Sequence, residues 1–320
     1  MNQSCEGTLS SGVRLSAAIG WSIVTVSTIC LYSLVAVGVI KHWNELKNPF
    51  YMIITHLGVS DVGFALTNVV VMIPITFAAK PIYGDYWGMF LARGNPLFAL
   101  TIYLHSFTVT LQRFCVFLAP SMNAKLFELN KPHYTMGFTW LLAVGVMVQM
   151  RLCDCYLYFS HTKFYYYHTC SDKQKEPLYL MGIFVISVFL PPIMMCMYVA
   201  VFVHLRCQKQ TGTVGAATNA GAQARKKRRA KAERSLLFQG FIICVFLQVM
   251  SLMFWFIPVD TVWGPIVLSS FLVINNACNP CIYLIFNSTI QQKVRLVLGV
   301  NAPPDPAATG GGQTQQKHRT

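Results

Sequence analysis

The sequence predicts an all-α membrane protein, a seven-transmembrane helix bundle followed by a short amphipathic helix. The first observation is composition: the 320 residues are 54% hydrophobic and only 11% charged, whereas soluble domains carry about a quarter charged residues. The second is patterning, because the apolar residues gather into seven segments of about 20 residues or more, the length that a helix needs to cross a bilayer.

The seven predicted spans follow one another along the chain, separated by shorter polar connections. They are Ala17–Ile40, Phe50–Phe77, Pro96–Phe117, Tyr134–Met150, Leu178–Val203, Leu236–Ile257 and Val262–Ile285. The bundle is therefore predicted over residues 17–285, after an extracellular tail over residues 1–16. Beyond the last span, apolar residues recur at helical spacing, which predicts an amphipathic helix over residues 286–300 at the membrane surface.

Lysine and arginine set the predicted orientation. Most of the 25 basic residues lie in connections on the same side of the membrane as the C-terminus, many of them in a third inner loop at about residues 204–235. Because positive loops remain cytoplasmic, the N-terminus is predicted outside and the C-terminus inside. The net charge of +14 then belongs to membrane loops and indicates no nucleic acid. Thr211–Ala224 is predicted to be flexible, and Asn301–Thr320 a disordered tail.

Polar residues inside the apolar segments mark a candidate switch. The motif Asn279-Pro280-Cys281-Ile282-Tyr283 lies near the inner end of the seventh span, where the proline weakens the helix. Asp61 lies within the second span, and a carboxylate at that depth must face the bundle and be paired, hydrated or protonated. Asn275, Asn276 and Asn279 are its candidate partners. The alternative is a structural polar network without a switching role.

Three further features lie at the ends of the spans. Arg113 ends the third span seven residues before Pro120, as a cytoplasmic latch or as an arginine that only snorkels to the headgroups. Pro258 ends the sixth span, as a hinge below a cavity or as ordinary helix termination. A basic run precedes the sixth span and attracts anionic lipid; it is also a candidate contact for an acidic partner. The run is Arg225, Lys226, Lys227, Arg228 and Arg229.

The second outer loop, at about residues 151–177, holds Cys153, Cys155 and Cys170. Extracellular cysteines favour disulfides, so Cys170 is expected to pair with one of the other two, in preference to a metal site. Asn2 begins an Asn-Gln-Ser acceptor for glycosylation. The sequence contains neither a glycine-rich phosphate loop nor an HExxH motif, so we predict no enzyme, no cofactor and no metal.

Taken together these residues resemble the rhodopsin-like G protein-coupled receptors. The matching residues are Asp61, Arg113 with Pro120, Trp140, Pro258 and the motif that begins at Asn279. Two shorter matches are similar to the nematode chemoreceptors called serpentine receptor class X. They are Asn48-Pro49-Phe50 followed by His56-Leu57-Gly58-Val59-Ser60-Asp61, and Leu111-Gln112-Arg113-Phe114 before Pro120.

The resemblance implies a chemosensory receptor for a small molecule, in the plasma membrane or, for a nematode chemoreceptor, in a sensory cilium. It implies a heterotrimeric G protein as partner, contacted by Arg113, Pro120 and the basic run. The ligand would bind among the outer halves of spans three, five, six and seven. The candidate ligand-binding residues are Asn95, Tyr103, Trp255, Phe256 and Phe271.

The alternatives are a neuropeptide receptor of the same fold and a seven-span channel or transporter. A peptide receptor would be favoured by acidic, ordered outer loops. A channel or transporter would need charged pore-lining segments or inverted repeats, whereas Asp61 alone is clearly a buried charge in this sequence. Asn95 lies roughly where amine receptors carry an aspartate, which argues against a biogenic amine.

Several positions depart from the family pattern. Ser33 replaces the usual asparagine of the first span, so the link between spans one, two and seven is expected to be altered. Gln112 replaces the acid that precedes the arginine, and Phe238 is apolar where some relatives place a second acid, so the resting latch is expected to be weak. Gly88 replaces the cysteine that usually begins the third span, and Phe256 the toggle tryptophan.

Overall fold

The computed structural model is a bundle of long helices with a small β-hairpin at one end. It describes residues 10–46, 48–128, 131–171, 174, 176–211, 220–261 and 263–300, with the backbone alone for 176–179, 208–211 and 220–233. The helices are α1 Ser11–Lys41, α2 Pro49–Thr67, α3 Ile73–Ala78, α4 Asp85–Ala92, α5 Gly94–Leu118, α6 Pro120–Leu126, α7 Lys131–Leu152, α8 Glu176–Thr211, α9 Ala220–Phe256, α10 Gly264–Phe286 and α11 Ser288–Val297. The strands are β1 Cys155–Phe159 and β2 Tyr166–Cys170.

Six helical stretches within the described residues are long and apolar enough to cross a membrane. They are Ser11–Lys41, Pro49–Ala78, Lys131–Leu152, Leu180–Cys207, Arg234–Phe256 and Gly264–Phe286, and they correspond to six of the seven predicted spans. The predicted third span corresponds to α5, which completes the bundle although it is less apolar.

Helix α5 is polar because it lies inside the bundle. It is 25 residues long and packs against α2, α7, α8 and α9. Its inward face buries Thr101, His105 and Thr108. His105 lies within hydrogen-bonding distance of Ser60 Oγ on α2, at 3.2 Å, and of Thr139 Oγ1 on α7, at 3.0 Å. Helices that surround α5 shield it from lipid, so its polar side chains bond to protein.

The second span begins with a capped helix and changes geometry midway. Asn48 caps α2 by accepting a hydrogen bond from the amide of Tyr51, and Pro49 occupies the first turn, where its missing donor costs little. A π-helical turn, Asn68–Met72, joins α2 to α3. Glycine permits the close approach of α5, because a Cβ atom at Gly63 would lie 2.3 Å from the ring of Phe98.

The helices extend beyond three of the predicted boundaries. Helix α1 begins at Ser11, six residues before the predicted start of the first span. Most of the predicted third inner loop is helical, since α8 extends to Thr211 and α9 begins at Ala220. Residues 220–224, predicted to be flexible, are helical because alanine and glutamine are strong helix formers. Residues 212–219, the tail Asn301–Thr320 and the acceptor Asn2 lie outside the described residues.

The predicted amphipathic helix is present as α11. Asn287 caps it by accepting from the amide of Ile290. Ile290 and Val294 are buried, and a Cβ atom at Gly38 of α1 would lie 3.3 Å from Val294. On the same helix Lys293 forms an ion pair with Glu45 of the connection after α1. This lysine, with a second contact from His42, lowers the pKa of the Glu45 carboxyl.

We expect the attachment of α11 to weaken in acid. A carboxyl group whose pKa is lowered by folding contributes stability above its unfolded pKa of ~4.3, and that contribution is lost as the pH falls through the lower, folded value. Amide hydrogen exchange over Ser288–Val297, corrected for intrinsic rates, should therefore increase on acidification. In Glu45→Gln the exchange should be faster already at pH 7 and depend less on pH.

Asp154→Asn is the control for that experiment, because it neutralises the exposed pair of Asp154 with Arg151, away from α11. Exchange in α11 that is the same in Glu45→Gln and in the unmodified protein would show that the ion pair does not hold the helix.

Candidate functional site

A buried polar network joins the first, second and seventh spans at Asp61. This residue has 0% of its surface exposed. Its Oδ2 atom accepts a hydrogen bond from the hydroxyl of Tyr32 on α1 and another from Nδ2 of Asn279 on α10, at 3.0 Å. The backbone carbonyl of Asp61 accepts from Nδ2 of Asn276 at 3.1 Å. The predicted contact between Asp61 and Asn279 is therefore present.

Two partners in this network differ from those expected. Of the three asparagines expected as partners, Asn276 and Asn279 bond to Asp61 and Asn275 does not, because adjacent helical residues point about 100° apart. The departure at Ser33 does not break the link between the three spans. Ser33 is exposed and bonds to the carbonyl of Ile29 in its own helix, while the neighbouring Tyr32 supplies the contact from α1.

The proline motif lies in the same part of α10. Pro280 is inside the helix, and Tyr283, one turn after Asn279, is 1% exposed. The second oxygen of Asp61, Oδ1, is buried without a hydrogen-bond partner among the described residues. A buried polar atom of this kind is costly, so the network is incompletely satisfied in this arrangement.

The C-terminal end of α5 holds the predicted latch residues. The guanidinium of Arg113 lies over the ring of Phe50 on α2, 3.7 Å from its centroid, a distance typical of a cation–π contact. Gln112 beside it is buried, and Pro120 begins α6. The backbone at 225–229 is part of α9, but the side chains of the basic run lie outside the described residues.

At the opposite end of the bundle lies a cavity of about 210 Å³. Its walls come from α5, α7, α8, α9 and α10, and the β-hairpin covers it. The lining is mostly apolar, and among the described side chains it contains no lysine, arginine, aspartate or glutamate. The polar residues of the lining are Asn95, Tyr103, Gln149, Tyr166, His168, Ser187 and Ser251.

The hairpin that covers the cavity was not predicted as a pair of strands. Strands β1 and β2 are antiparallel, with Cys155 opposite Cys170 and Phe159 opposite Tyr166. Alternate residues of β1 face the interior, as is typical of a half-buried strand. The hairpin turn is also tied to the seventh span, since Ser269 Oγ donates to the carbonyl of Phe164 at 2.8 Å.

The predicted disulfide is present, and the structure decides which cysteine forms it. Cys155 is bonded to Cys170, while Cys153 is a buried free thiol. Among the described residues no group of three histidine, cysteine, aspartate or glutamate side chains could hold a metal ion. Because Cys155 and Cys170 are paired at the open end of the two strands, the disulfide closes the base of the hairpin over the cavity.

Two of the five candidate ligand-binding residues line the cavity, and three do not. Asn95 and Tyr103 line the cavity. Trp255 does not, although its indole donates to Ser187 Oγ, which does. Phe271 is half-buried and lies outside the lining. Phe256 lies outside the lining, and its side chain is 69% exposed on the surface of α9 that faces away from the bundle.

Pro258 is not a hinge within the sixth span. Helix α9 ends at Phe256, and Pro258 is an exposed residue of the following turn, whose carbonyl accepts from Thr261. A proline disfavours the helical conformation of the residue that precedes it, so helices usually end at or before that residue. The alternative of ordinary helix termination is the one that the structure supports.

Hydrogen bonds connect the cavity to the sixth span. The hydroxyl of Tyr103 is 2.8 Å from Ser251 Oγ on α9, and Ser251 donates to the backbone carbonyl of Ser187 on α8 at 2.5 Å. Three spans thus meet at the cavity floor. Sequence patterns did not reveal Ser251 or Tyr166, because the serine lies in an otherwise apolar segment and the tyrosine in a loop.

The fold and the motifs match those of known proteins. A family model described as "Serpentine type 7TM GPCR chemoreceptor Srx" matches residues 23–287. The chain belongs to the Srx family of serpentine chemoreceptors. The Srx chain is also similar in structure to squid rhodopsin, whose crystal structure superposes with a TM-score of 0.77 at 18% identity, covering 91% of this chain and 87% of that one. No curated protein matches it in sequence.

These findings establish the class of the Srx chain. It is a multi-pass membrane protein with the seven-helix fold of rhodopsin, and it belongs to a family of G protein-coupled receptors rather than to an enzyme family. The sequence-based predictions of fold and family are therefore confirmed.

We expect mass spectrometry of non-reduced peptides to find Cys155 joined to Cys170 and Cys153 alkylated as a free thiol. Cys153→Ser should leave the disulfide intact, whereas Cys155→Ser should free Cys170. A peptide in which Cys153 is joined to Cys170 in the unmodified receptor would contradict this connectivity.

Proposed function

We propose that this Srx receptor is a chemosensory receptor for a small molecule and that it activates a heterotrimeric G protein. It would act in the plasma membrane, with the N-terminus and the hairpin outside; in a nematode, a sensory cilium would be the corresponding site. One observation carries the proposal. The covered cavity contacts the sixth span through Tyr103 and Ser251, so a ligand inside it would alter how α5 and α9 pack.

The route from cavity to cytoplasm follows α9. This helix runs from the cavity floor at Ser251 to the basic run at residues 225–229. A ligand shifts a conformational equilibrium only by binding one state more tightly than the other. Contacts that differ between two positions of α9 would supply that difference. At the inner end, movement of α9 away from α5 would expose Arg113 to the G protein.

The network at Asp61 would help to define the two states. It ties α10 to α1 and α2 through three hydrogen bonds. Low dielectric makes such buried bonds strong, and makes an unpaired member costly. Asp61 Oδ1 has no partner among the described residues, so the network would gain from a rearrangement that supplies a donor to this oxygen, which is the property that a switch requires.

The other two candidate functions receive less support. A peptide would require an open vestibule, whereas the hairpin and its disulfide cover the cavity. A channel or transporter would require a charged path through the bundle. In the described part of the chain, the buried charged residues are Asp61 within the bundle and Lys293 on α11, and these do not form a path.

The proposal is tested by a ligand screen in cells that carry an energy-transfer sensor of G protein activation. At least one small molecule should activate a G protein in cells that express the receptor and not in matched cells without it. Arg113→Ala should abolish that response at equal surface expression. A ligand that binds the purified receptor and elicits no G protein response from any subtype would contradict the proposal.

Asp61→Ala should blunt signalling while leaving the receptor at the cell surface. The substitution removes the carboxylate and leaves the Tyr32 hydroxyl and the Asn279 side-chain amide without an acceptor, at a cost of about 1–3 kcal/mol each. Thr55→Val is the matched control on the same helix, because the Thr55 side chain is exposed and bonds only within α2. Agonist response per surface receptor is the measurement; an unaltered response in Asp61→Ala would exclude a role for the network.

Gln112→Glu should lower ligand-independent signalling. It places an acid next to Arg113, and a charge-assisted contact is roughly twice as strong as a neutral one. The resting position of the arginine should therefore be held more firmly. Basal G protein activation per surface receptor decides the point, with Gln112→Met as a neutral control of similar size. Basal activity that is unchanged or higher in Gln112→Glu would show that the acid does not stabilise the resting state.

A further inference from the structure

We propose that the outer cavity binds an uncharged organic molecule, smaller than a drug, with an apolar body and a single polar group that hydrogen-bonds to Tyr166 and Asn95. This inference rests on the proposed function, since it assumes that the cavity is the ligand site, and it specifies the chemistry of the ligand. Size, charge and unmet hydrogen bonding each support it separately.

The size of the cavity limits the ligand. Pockets for drug-sized molecules enclose about 300–1,000 Å³, whereas this cavity encloses about 210 Å³. The hairpin covers it and is held down by the disulfide and by the bond from Ser269 to Phe164. A long chain therefore cannot extend through the cover without opening the hairpin, and a compact molecule fits beneath it.

The lining excludes ions. Its described residues include no aspartate, glutamate, lysine or arginine, and a charge taken from water into an apolar site costs several kcal/mol or more unless it is paired. Burial lowers the pKa of His168 to about 4, so this imidazole is neutral at pH 7. Burial likewise raises the pKa of Tyr166, which keeps its hydroxyl protonated. Neither an ammonium group nor a carboxylate would find a counter-ion here.

Unmet hydrogen bonds lie at the outer end of the cavity. Tyr166 is only 5% exposed, and its hydroxyl lies close enough to the Asn95 side chain to interact with it. Neither this hydroxyl nor Nδ2 of Asn95 has a hydrogen bond of standard geometry among the described residues. At the inner end, the hydroxyls of Tyr103 and Ser251 already bond to each other. A polar group on the ligand would therefore gain most beneath β2.

The positions along α5 orient the ligand. Asn95, Ala99 and Tyr103 all line the cavity and are four residues apart, so they lie on one face of the helix, with Asn95 and Tyr103 separated by about 12 Å at 1.5 Å per residue. The polar group would lie near Asn95, and the apolar body would extend past Ala99 towards Tyr103. A larger residue at position 99 would then obstruct the body without touching the polar contacts.

The test uses purified full-length receptor in lipid nanodiscs and twelve probes. Cyclohexyl, phenyl and linear six-carbon skeletons each carry a CH2OH, CH3, CH2NH3+ or carboxylate group. Binding is measured by saturation-transfer NMR and by the shift in thermal unfolding. The alcohols should bind, the methyl compounds more weakly, and both ions at least tenfold more weakly than the alcohols.

Substitutions then separate the polar contact from the cavity. Tyr166→Phe should weaken the alcohols about tenfold, the typical cost of an unpartnered buried polar group, and leave the methyl compounds unchanged. Tyr167→Phe, the adjacent tyrosine outside the lining, should change neither. Ala99→Leu should weaken all neutral probes, which distinguishes the cavity from general partition into lipid.

Two outcomes with the unmodified receptor would overturn the inference: ions that bind as tightly as the alcohols, or no binding by any probe. Two outcomes with the variants would also overturn it: an affinity for the alcohols that Tyr166→Phe does not change, or an affinity for the neutral probes that Ala99→Leu does not change. The failure of the proposed function has a different signature. Alcohols that bind with the expected dependence on Tyr166, yet activate no G protein, would support the ligand class and contradict the signalling role.

Discussion

The arrangement of the bundle depends on a carboxyl group that has no access to water. Asp61 cannot be left without partners in the interior of a membrane protein, so other spans must come close enough to supply donors. Tyr32 and Asn279 do so from the first and seventh spans, and Asn276 bonds to the adjacent backbone. The relative rotation and depth of these three helices follow from this requirement, because each donor must reach the same residue.

Sequence patterns predicted the features that depend on periodicity and chemical type. Seven apolar segments, the amphipathic α11 and an outer disulfide are of this kind. The direction of a side chain on a helix is harder to infer, since Trp255 and Phe256 are adjacent and both aromatic, yet one bonds inside the bundle and the other is 69% exposed. Tyr32 was overlooked because one tyrosine in an apolar span does not reveal which neighbour it faces.

The hairpin shows a second limit of sequence reasoning. In the structure the residues of Cys155–Phe159 alternate between buried and half-buried, but the sequence of this short segment, Cys-Tyr-Leu-Tyr-Phe, shows no alternation of apolar and polar residues. Its importance became visible only with the cavity below it. Tyr166 and Asn95 are far apart in the chain and meet because the disulfide fixes β2 over the start of α5. The proposed polar contact for a ligand thus combines a loop and a helix that no local pattern connects.

The polarity of α5 affects how the protein is made as well as how it folds. A segment with threonine, histidine, glutamine and arginine side chains gains less from entering lipid than its neighbours do, because charged and polar residues oppose insertion. Its stable position depends on α2, α7, α8 and α9. The last three follow α5 in the chain and are therefore synthesised after it. The stable insertion of α5 therefore requires contacts with helices that emerge later in synthesis. Damage to those later helices would then reduce the yield of correctly inserted receptor, even where no contact with ligand or G protein is altered.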